Sequence, residues 1–226
     1  MANGILVLLE NSDGKISRIG WEALAAGQKI GADLGVGVSA VVLGKDAQAM
    51  AQSAAEKQAE KVYAVSDAKL ENYTPDGYAA ALEQLITKTA PAYIFVGHSY
   101  QARDYVAKLA LKTDAKIISD CIGYKVDGGK LMLTRQVFAG KFNADYSFTG
   151  DGPYLATFQA GAFSADSLQA GSAAIEDFAV DLSGTEIRTN VLDIFQGVKQ
   201  EVDLSKAEVI VSAGRGLKEK DNMALV

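Results

Sequence analysis

The sequence predicts an α/β fold, in which a parallel doubly wound sheet is followed by a β-rich second half. In the first half, short apolar runs recur about every thirty residues with helical patterns between them, which is typical of βαβ units with right-handed crossovers. After Thr113, short apolar runs follow one another without helices. Within them, Asp127-Gly128-Gly129 has the composition of a hairpin turn.

Four strands are predicted in the first half. Each is a nearly continuous apolar run, the pattern of a strand that is covered on both faces. We expect all four to be parallel in a single sheet, and they begin near Ile5, Val38, Val62 and Tyr93.

Four helices are predicted between and after these strands. Ser17 is a candidate N-cap for the first, and Gly27 and Gly31 would let it approach the sheet closely. Thr74-Pro75-Asp76 starts the third, because threonine can cap, proline tolerates the first turn and an acid suits the helix dipole. The helices are predicted over residues 17–34, 47–60, 74–90 and about 102–110.

The second half is predicted to be antiparallel or mixed. Its candidate strands are 117–118, 121–126, 130–138, 146–148, 154–158, 175–180 and 187–195. A last buried strand is predicted over Val209–Val211, a β-branched run between polar and small residues. No low-complexity linker separates the halves.

Composition narrows the classes of function. Of the 226 residues, 28 are acidic and 22 basic, for a net charge of −6, which disfavours nucleic acid or an anionic membrane as the main partner. Cys121 is the only cysteine, which excludes an internal disulfide and a multi-cysteine zinc site. No run is long enough for membrane insertion. We expect a cytoplasmic protein or, as the alternative, a mitochondrial matrix protein without its presequence.

The candidate ligand site lies after the predicted last strand. There, Gly214 and Gly216 flank Arg215. Glycines allow a tight turn, and in open α/β sheets ligands bind at the carboxyl ends of the strands. Arginine suits a phosphate, a carboxylate or a flat conjugated ring. The alternative is a solvated turn.

Other residues and motifs point less directly to a ligand site. His98, the only histidine, follows the fourth strand and is expected to contact a partner or cap a helix, because Gly97-His98-Ser99 is no catalytic triad. Cys121 is expected to be a buried inert thiol, and Asp120 needs a partner. Gly35–Ala40 has the letters of a dinucleotide fingerprint but opens a strand instead of a helix. Five aromatics are expected to pack a β layer: Phe138, Phe142, Tyr146, Phe148 and Tyr154.

Four segments together resemble the alpha subunit of electron transfer flavoproteins. They match in order and spacing across essentially the whole chain. The last is the most specific, since the family reads V-S-G-G-R-G where this chain has Ala213 in place of the first glycine. The segment at 138–144 is a looser match to the family's Y-A-G-N-A. The four segments are 106–110, 117–122, 135–144 and 209–218.

The resemblance implies a heterodimer that contains FAD. The alpha subunit's carboxy-terminal domain holds most of the FAD, and the beta subunit holds AMP. The flavin takes electrons from acyl-CoA and other flavin dehydrogenases and passes them to a quinone reductase. Arg215, with Gly214 and Gly216, carries over to the flavin site. This chain is then the subunit-interaction domain of an electron carrier, and no turnover is expected from it alone.

The resemblance also implies a domain division. Residues 1–212 would be the α/β amino-terminal domain, and residues 213–226 the start of a linker to an FAD-binding domain that this chain lacks. This fragment alone is therefore not expected to hold FAD. Two alternatives stay open: an adenine-nucleotide-binding α/β enzyme of the adenine-nucleotide hydrolase type, which shares this sheet, and a stand-alone interaction module. The first would need a glycine-rich phosphate loop, but the first strand is followed by the acidic segment 10–14.

Overall fold

A computed structural model describes residues 4–192 and 209–225. It divides into two compact units, Met1–Asn190 and Val191–Val226. Most of the regular structure belongs to the first unit. Its helices are α1 (Arg18–Leu34), α2 (Gln48–Ala55), α3 (Pro75–Thr89) and α4 (Tyr100–Thr113).

The strands of the first unit form one large sheet and one small hairpin. The hairpin is β2 (Asn11–Ser12) with β3 (Lys15–Ile16). The strands of the large sheet are, in chain order, β1 (Ile5–Leu8), β4 (Val38–Gly44), β5 (Lys61–Ser66), β6 (Tyr93–Gly97), β7 (Lys116–Asp127), β8 (Lys130–Val137), β9 (Phe142–Ser147), β10 (Tyr154–Phe158) and β11 (Ala174–Asp177).

The large sheet has the spatial order β11-β5-β4-β1-β6-β10-β7-β8-β9. From β11 to β7 every neighbouring pair is parallel, and β7, β8 and β9 are joined by antiparallel pairing. The prediction that the first four strands are parallel in one sheet is therefore confirmed. The second half is mixed, which agrees with the prediction: β7, β8 and β9 pair antiparallel, whereas β10 lies between β6 and β7 and is parallel to both.

The core has two layers, one on each face of the sheet. Along β1, Ile5 and Val7 pack towards α1 and α2, whereas Leu6 and Leu8 pack towards α3 and α4. Because successive side chains of a strand point to opposite faces, a strand that is apolar throughout must be covered on both sides. The doubly wound arrangement predicted from the apolar runs is confirmed.

The helix starts follow from the predicted caps. The Oγ of Ser17 accepts a hydrogen bond from the backbone N–H of Gly20, and Thr74 caps α3 in the same way. In α1, a Cβ on Gly31 would lie 2.6 Å from Cγ2 of Val38. Because that distance is shorter than any real contact, Gly31 is needed for the close approach of α1 to β4, as predicted.

Several predicted elements of the first unit differ in the structure. The helix predicted over 47–60 ends at Ala55, since the chain then turns and the N–H of Gln58 donates to the carbonyl of Gln169. The strand predicted over 146–148 is observed earlier, as β9. The strand predicted over 187–195 is absent from its described part, residues 187–192, where the N–H of Arg188 donates to the carboxylate of Asp76 instead. Residues 193–195 lie outside the described part of the chain.

Candidate functional site

The topological switch point of the sheet lies between β1 and β6. From β1 the chain proceeds to β4 and β5 on one side, and it then returns to β6 on the other side. Ligands of open α/β sheets bind in the crevice outside the carboxyl ends of such strands. Here those ends carry Glu10 and Ser99.

Glu10 and Ser99 bridge this crevice. The Oγ of Ser99 donates a hydrogen bond to the Oε2 of Glu10 and accepts one from the N–H of Ala102, at 2.9 Å, so that it also caps α4. Burial raises the pKa of Glu10 above its usual value, and the bond from Ser99 partly opposes this rise. An acid at this point repels a phosphate group, whereas a nucleotide-binding enzyme needs donors there.

A second polar group surrounds Thr157, which is buried in β10. Its Oγ1 lies 2.7 Å from Nδ1 of His98 and accepts a hydrogen bond from the N–H of Asp120, at 2.8 Å. On its other side, Nε2 of His98 lies 3.9 Å from Oδ1 of Asp120. The expectation that the Asp120 acid needs a partner is met only in part, because its backbone N–H binds Thr157 whereas its carboxylate, 39% exposed, lies beyond hydrogen-bond distance of His98. Thr157 could not be predicted as a site residue, because one hydroxyl in an apolar strand has no periodicity.

Asp120 sits in an unusual backbone conformation. Its φ of 60° is in the left-handed region, which costs a non-glycine residue energy. The cause is a β-bulge: Ile118 pairs with Ala156 and Cys121 with Phe158, so that two residues of β7 oppose Thr157 alone. The bulge marks the point at which β7 leaves its parallel neighbour and continues into antiparallel pairing.

Cys121 is the inert thiol that the sequence predicted. It is fully buried, and its Sγ lies 3.6 Å from the carbonyl oxygen of Ile118. Burial raises the pKa of the thiol to about 12. Since the thiolate is the nucleophilic form, Cys121 is not a catalytic group.

Over residues 4–192 and 209–225, no group of three His, Cys, Asp or Glu side chains could hold a metal ion.

The strands β7, β8 and β9 form a three-stranded antiparallel arm at one edge of the sheet. In β9, all residues but Ala144 are exposed, and its outer edge has no strand partner among the described residues. Phe138 and Phe142 meet edge to face, with ring centroids 6.0 Å apart, and their exposed fractions are 77% and 64%. The carboxylate of Asp145 in β9 accepts hydrogen bonds from Lys125 in β7 and from Thr134 in β8.

The expectation that the aromatics pack a β layer holds for only part of the set. Phe148 and Tyr154 stack with ring centroids 4.6 Å apart and are partly buried. Phe138, Phe142 and Tyr146 are exposed instead. The exposure of Phe138 and Phe142 was not predicted. The two residues flank the turn 139–141 at the tip of a hairpin, where no second layer covers them.

The second unit contains Arg215, the predicted ligand residue. Arg215–Leu217 forms a single 3₁₀ turn that follows Gly214, and Arg215 is exposed. The predicted buried strand Val209–Val211 is wrong: these residues form no strand, and Val209 is 81% exposed. A β-branched run predicts a strand only where a partner strand is available, and the described part of this unit has none.

The two glycines are not required by packing within the described residues. A Cβ on Gly214 or on Gly216 would meet nothing within 4 Å, and neither residue has a positive φ. The backbone on either side of the guanidinium is therefore open to another group. The assignment of Arg215, Gly214 and Gly216 to a flavin site stays a prediction.

Comparison with known proteins identifies similar chains. The family model described as the electron transfer flavoprotein domain matches residues 5–183. An electron transfer flavoprotein subunit alpha from Bacillus subtilis is 34% identical over 224 residues, which cover 98% of this chain and 67% of the relative. One from Syntrophomonas wolfei is 32% identical over 99% of this chain and 68% of the relative. A protein named FixB from Clostridium saccharobutylicum is 30% identical over 99% and 67%.

These comparisons cover nearly all of the chain and about two thirds of each relative. A further relative at 26% identity is named an acryloyl-CoA reductase electron transfer subunit beta, from Anaerotignum propionicum. Within the described residues, no helix has the length and apolar character needed to cross a membrane.

Proposed function

This chain belongs to the electron transfer flavoprotein family and has the role of its alpha subunit, and from that premise we propose that it works in a heterodimer with a beta subunit. FAD in that heterodimer carries electrons from acyl-CoA and other flavin dehydrogenases to a quinone reductase. AMP is held by the beta subunit. The relatives are bacterial proteins, and we place this protein in the cytoplasm.

The observation that supports a partner most directly is the antiparallel arm. A strand edge with free N–H and C=O groups is a template for another chain, and monomeric proteins usually protect such an edge. β9 is exposed along nearly all of its length, and its first residue, Phe142, contacts the exposed ring of Phe138. Aromatic residues are enriched at protein interfaces because they bury a large area at a small cost in conformational entropy. We assign the arm to contact with the beta subunit.

The flavin assignment has weaker support. The Gly214-Arg215-Gly216 segment has an exposed guanidinium and open backbone on both sides, which fits a flat, anionic group such as a flavin with its phosphates. FAD supplies the electron-transfer chemistry when bound. Arg215 would contribute a fixed positive charge, and the two glycines would let the ligand approach the backbone.

Variants of the arm test the subunit contact. Replacing both Phe138 and Phe142 by serine removes exposed apolar surface and leaves the core unchanged. We expect the affinity for the beta subunit to fall at least tenfold, since two central aromatics together contribute about 2 kcal/mol or more. The affinity is measured by calorimetric titration of the beta subunit.

The matched control is Leu111→Ser, because Leu111 is an apolar side chain on α4 that is 85% exposed. This variant should bind like the wild type. Equal affinity of the arm variant and the wild type would contradict the assignment of the arm. If the wild-type chain self-associates and the Phe138/Phe142 variant does not, while both bind the beta subunit equally, a second copy of this chain occupies the arm.

An adenine-nucleotide-binding enzyme is the alternative function. It is disfavoured by the Glu10–Ser99 bridge, which places a carboxyl group at the switch point where a nucleotide phosphate would bind.

A further inference from the structure

His98, Thr157 and Asp120 connect three strands at the base of the antiparallel arm. His98 follows β6, Thr157 is in β10, and Asp120 is in β7. The N–H of His98 also donates to the carbonyl of Phe158, at 2.6 Å. The group of His98, Thr157 and Asp120 lies beside Cys121, where the pairing between β10 and β7 ends and the arm begins.

The hydrogen-bond donors of this group determine the tautomer of His98. A threonine hydroxyl has one hydrogen and two lone pairs. Oγ1 of Thr157 is fully buried and already accepts the N–H of Asp120. Among the described residues its only other neighbour within hydrogen-bond distance is Nδ1 of His98. The hydroxyl hydrogen must therefore be donated to Nδ1, since a buried donor without an acceptor is costly.

A histidine that accepts a hydrogen bond at Nδ1 carries its proton on Nε2 and is neutral. Protonation of Nδ1 would put two donors against each other and leave the hydroxyl of Thr157 without an acceptor. The charges that face His98 come from three elements: Asp120 on β7 favours the imidazolium, whereas Arg103 on α4 and Arg135 on β8 oppose it. Burial is the largest influence and lowers the pKa of His98 below its usual value.

We propose that His98 is a pH-sensitive latch that holds the base of the arm. In the neutral state, Nδ1 binds Thr157, and Thr157 in turn holds the N–H of Asp120 in the bulge. On protonation, Nδ1 gains a hydrogen, the bond from Thr157 breaks, and the imidazolium is drawn towards the carboxylate of Asp120. The bulge then loses its support and the arm loosens. This regulation rests on the proposed function, because it controls the surface assigned to the beta subunit.

The sign of the pH dependence follows from the lowered pKa. Between the pKa in the folded chain and the usual value of about 6.5, the unfolded chain binds more protons than the folded chain. The latch is therefore complete above pH of about 6.5, and its contribution is lost as the pH falls towards the pKa of folded His98.

Nuclear magnetic resonance on the chain alone tests the latch, because the sequence contains one histidine and its signals need no assignment among several. We expect an unprotonated Nδ1 and a protonated Nε2 at neutral pH. The titration midpoint should lie below about 6.5, and the backbone amide of Asp120 should shift with the same midpoint. A proton on Nδ1 at neutral pH, or an Asp120 amide that does not respond, would overturn the proposal whether or not the beta subunit binds.

The consequence for the beta subunit is tested with His98→Asn. An asparagine amide oxygen can take the place of Nδ1 as the acceptor for Thr157, but it does not titrate. We expect the affinity of the wild-type chain for the beta subunit to fall at least threefold as the pH falls through the titration midpoint of His98. The affinity of the variant should stay constant over the same range. The same pH dependence in both proteins would overturn the regulatory part, whereas absence of binding at every pH would instead refute the proposed function.

Discussion

At the scale of single residues, polar side chains at the carboxyl edge of the sheet have separate tasks. Ser99 closes the switch point with Glu10, and Thr157 joins His98 to the bulge in β7. His98 could be placed at this edge from the sequence, because it directly follows an apolar strand. Its contact with Thr157 could not, since the two residues are 59 positions apart and come together only because β10 pairs with β6.

Arg215 carries the flavin assignment, and its replacement is the corresponding prediction. In the complete alpha subunit with its beta subunit, Arg215→Ala should reduce the FAD content or lower the flavin midpoint potential. A fixed cation stabilises reduced, anionic flavin, and a loss of roughly 1–3 kcal/mol corresponds to about 20–65 mV for two electrons. Absorbance gives the FAD content, and redox titration gives the potential.

Arg215→Lys is the matched variant for this measurement. It keeps the positive charge but lacks the planar fork of the guanidinium, so the potential should recover only in part. If both variants match the wild type in FAD content and potential, Arg215 is a solvated turn residue and the flavin assignment is wrong.

At the scale of elements, residues 178–188 form a strap over the face of the sheet that carries α3 and α4. Leu182 is buried in that layer, and the carbonyl and N–H of Asp181 both bind the side chain of Gln84. At its end, Arg188 binds Asp76, which is 5% exposed and also binds Lys108. Asp76 therefore joins the first turn of α3, helix α4 and the strap.

Asp76→Asn should destabilise the chain. The amide keeps the shape of the side chain but removes the charge that both cations face. Because Lys108 and Arg188 are partly solvated, we expect a loss of about 1–3 kcal/mol in the free energy of unfolding, less than for a fully buried pair. Urea unfolding followed by circular dichroism measures this loss.

Glu83→Gln is the control for the strap. Glu83 pairs with Lys112 at 2.6 Å between the same two helices, and both side chains are about one third exposed. This pair should contribute at most about 1 kcal/mol. An equal loss in the two variants would show that Asp76 contributes only as an ordinary surface ion pair.

The elements also show where local patterns fail. The strand Tyr154–Phe158 was predicted with the observed bounds, but an apolar run covered on both faces does not say which strands are its neighbours. The position of this strand between β6 and β7 is determined by contacts between residues that are distant in the sequence. Val209–Val211 has the same kind of pattern and forms no strand, because strand propensity is effective only where a partner is present.

At the scale of the whole molecule, periodicity predicted the two-layer architecture and the parallel first half. It could do so because burial on both faces of a sheet leaves a continuous apolar run, and burial on one side of a helix leaves a helical repeat. The antiparallel arm was predicted as strands, but its exposure was not. A strand pattern does not distinguish a strand that is exposed at the edge of a sheet from one that is covered by its own chain.

The assignments of the arm and of Arg215 depend on one claim, that this chain acts as the alpha subunit of an electron carrier. The most direct measurement combines the complete alpha subunit, its beta subunit and an acyl-CoA dehydrogenase with its substrate, and follows the flavin absorbance. We predict that FAD copurifies with the heterodimer and is reduced only when dehydrogenase and substrate are both present. A heterodimer that binds FAD without being reduced by any flavin dehydrogenase, or a chain that binds no beta subunit and turns over adenine nucleotides, would contradict the claim.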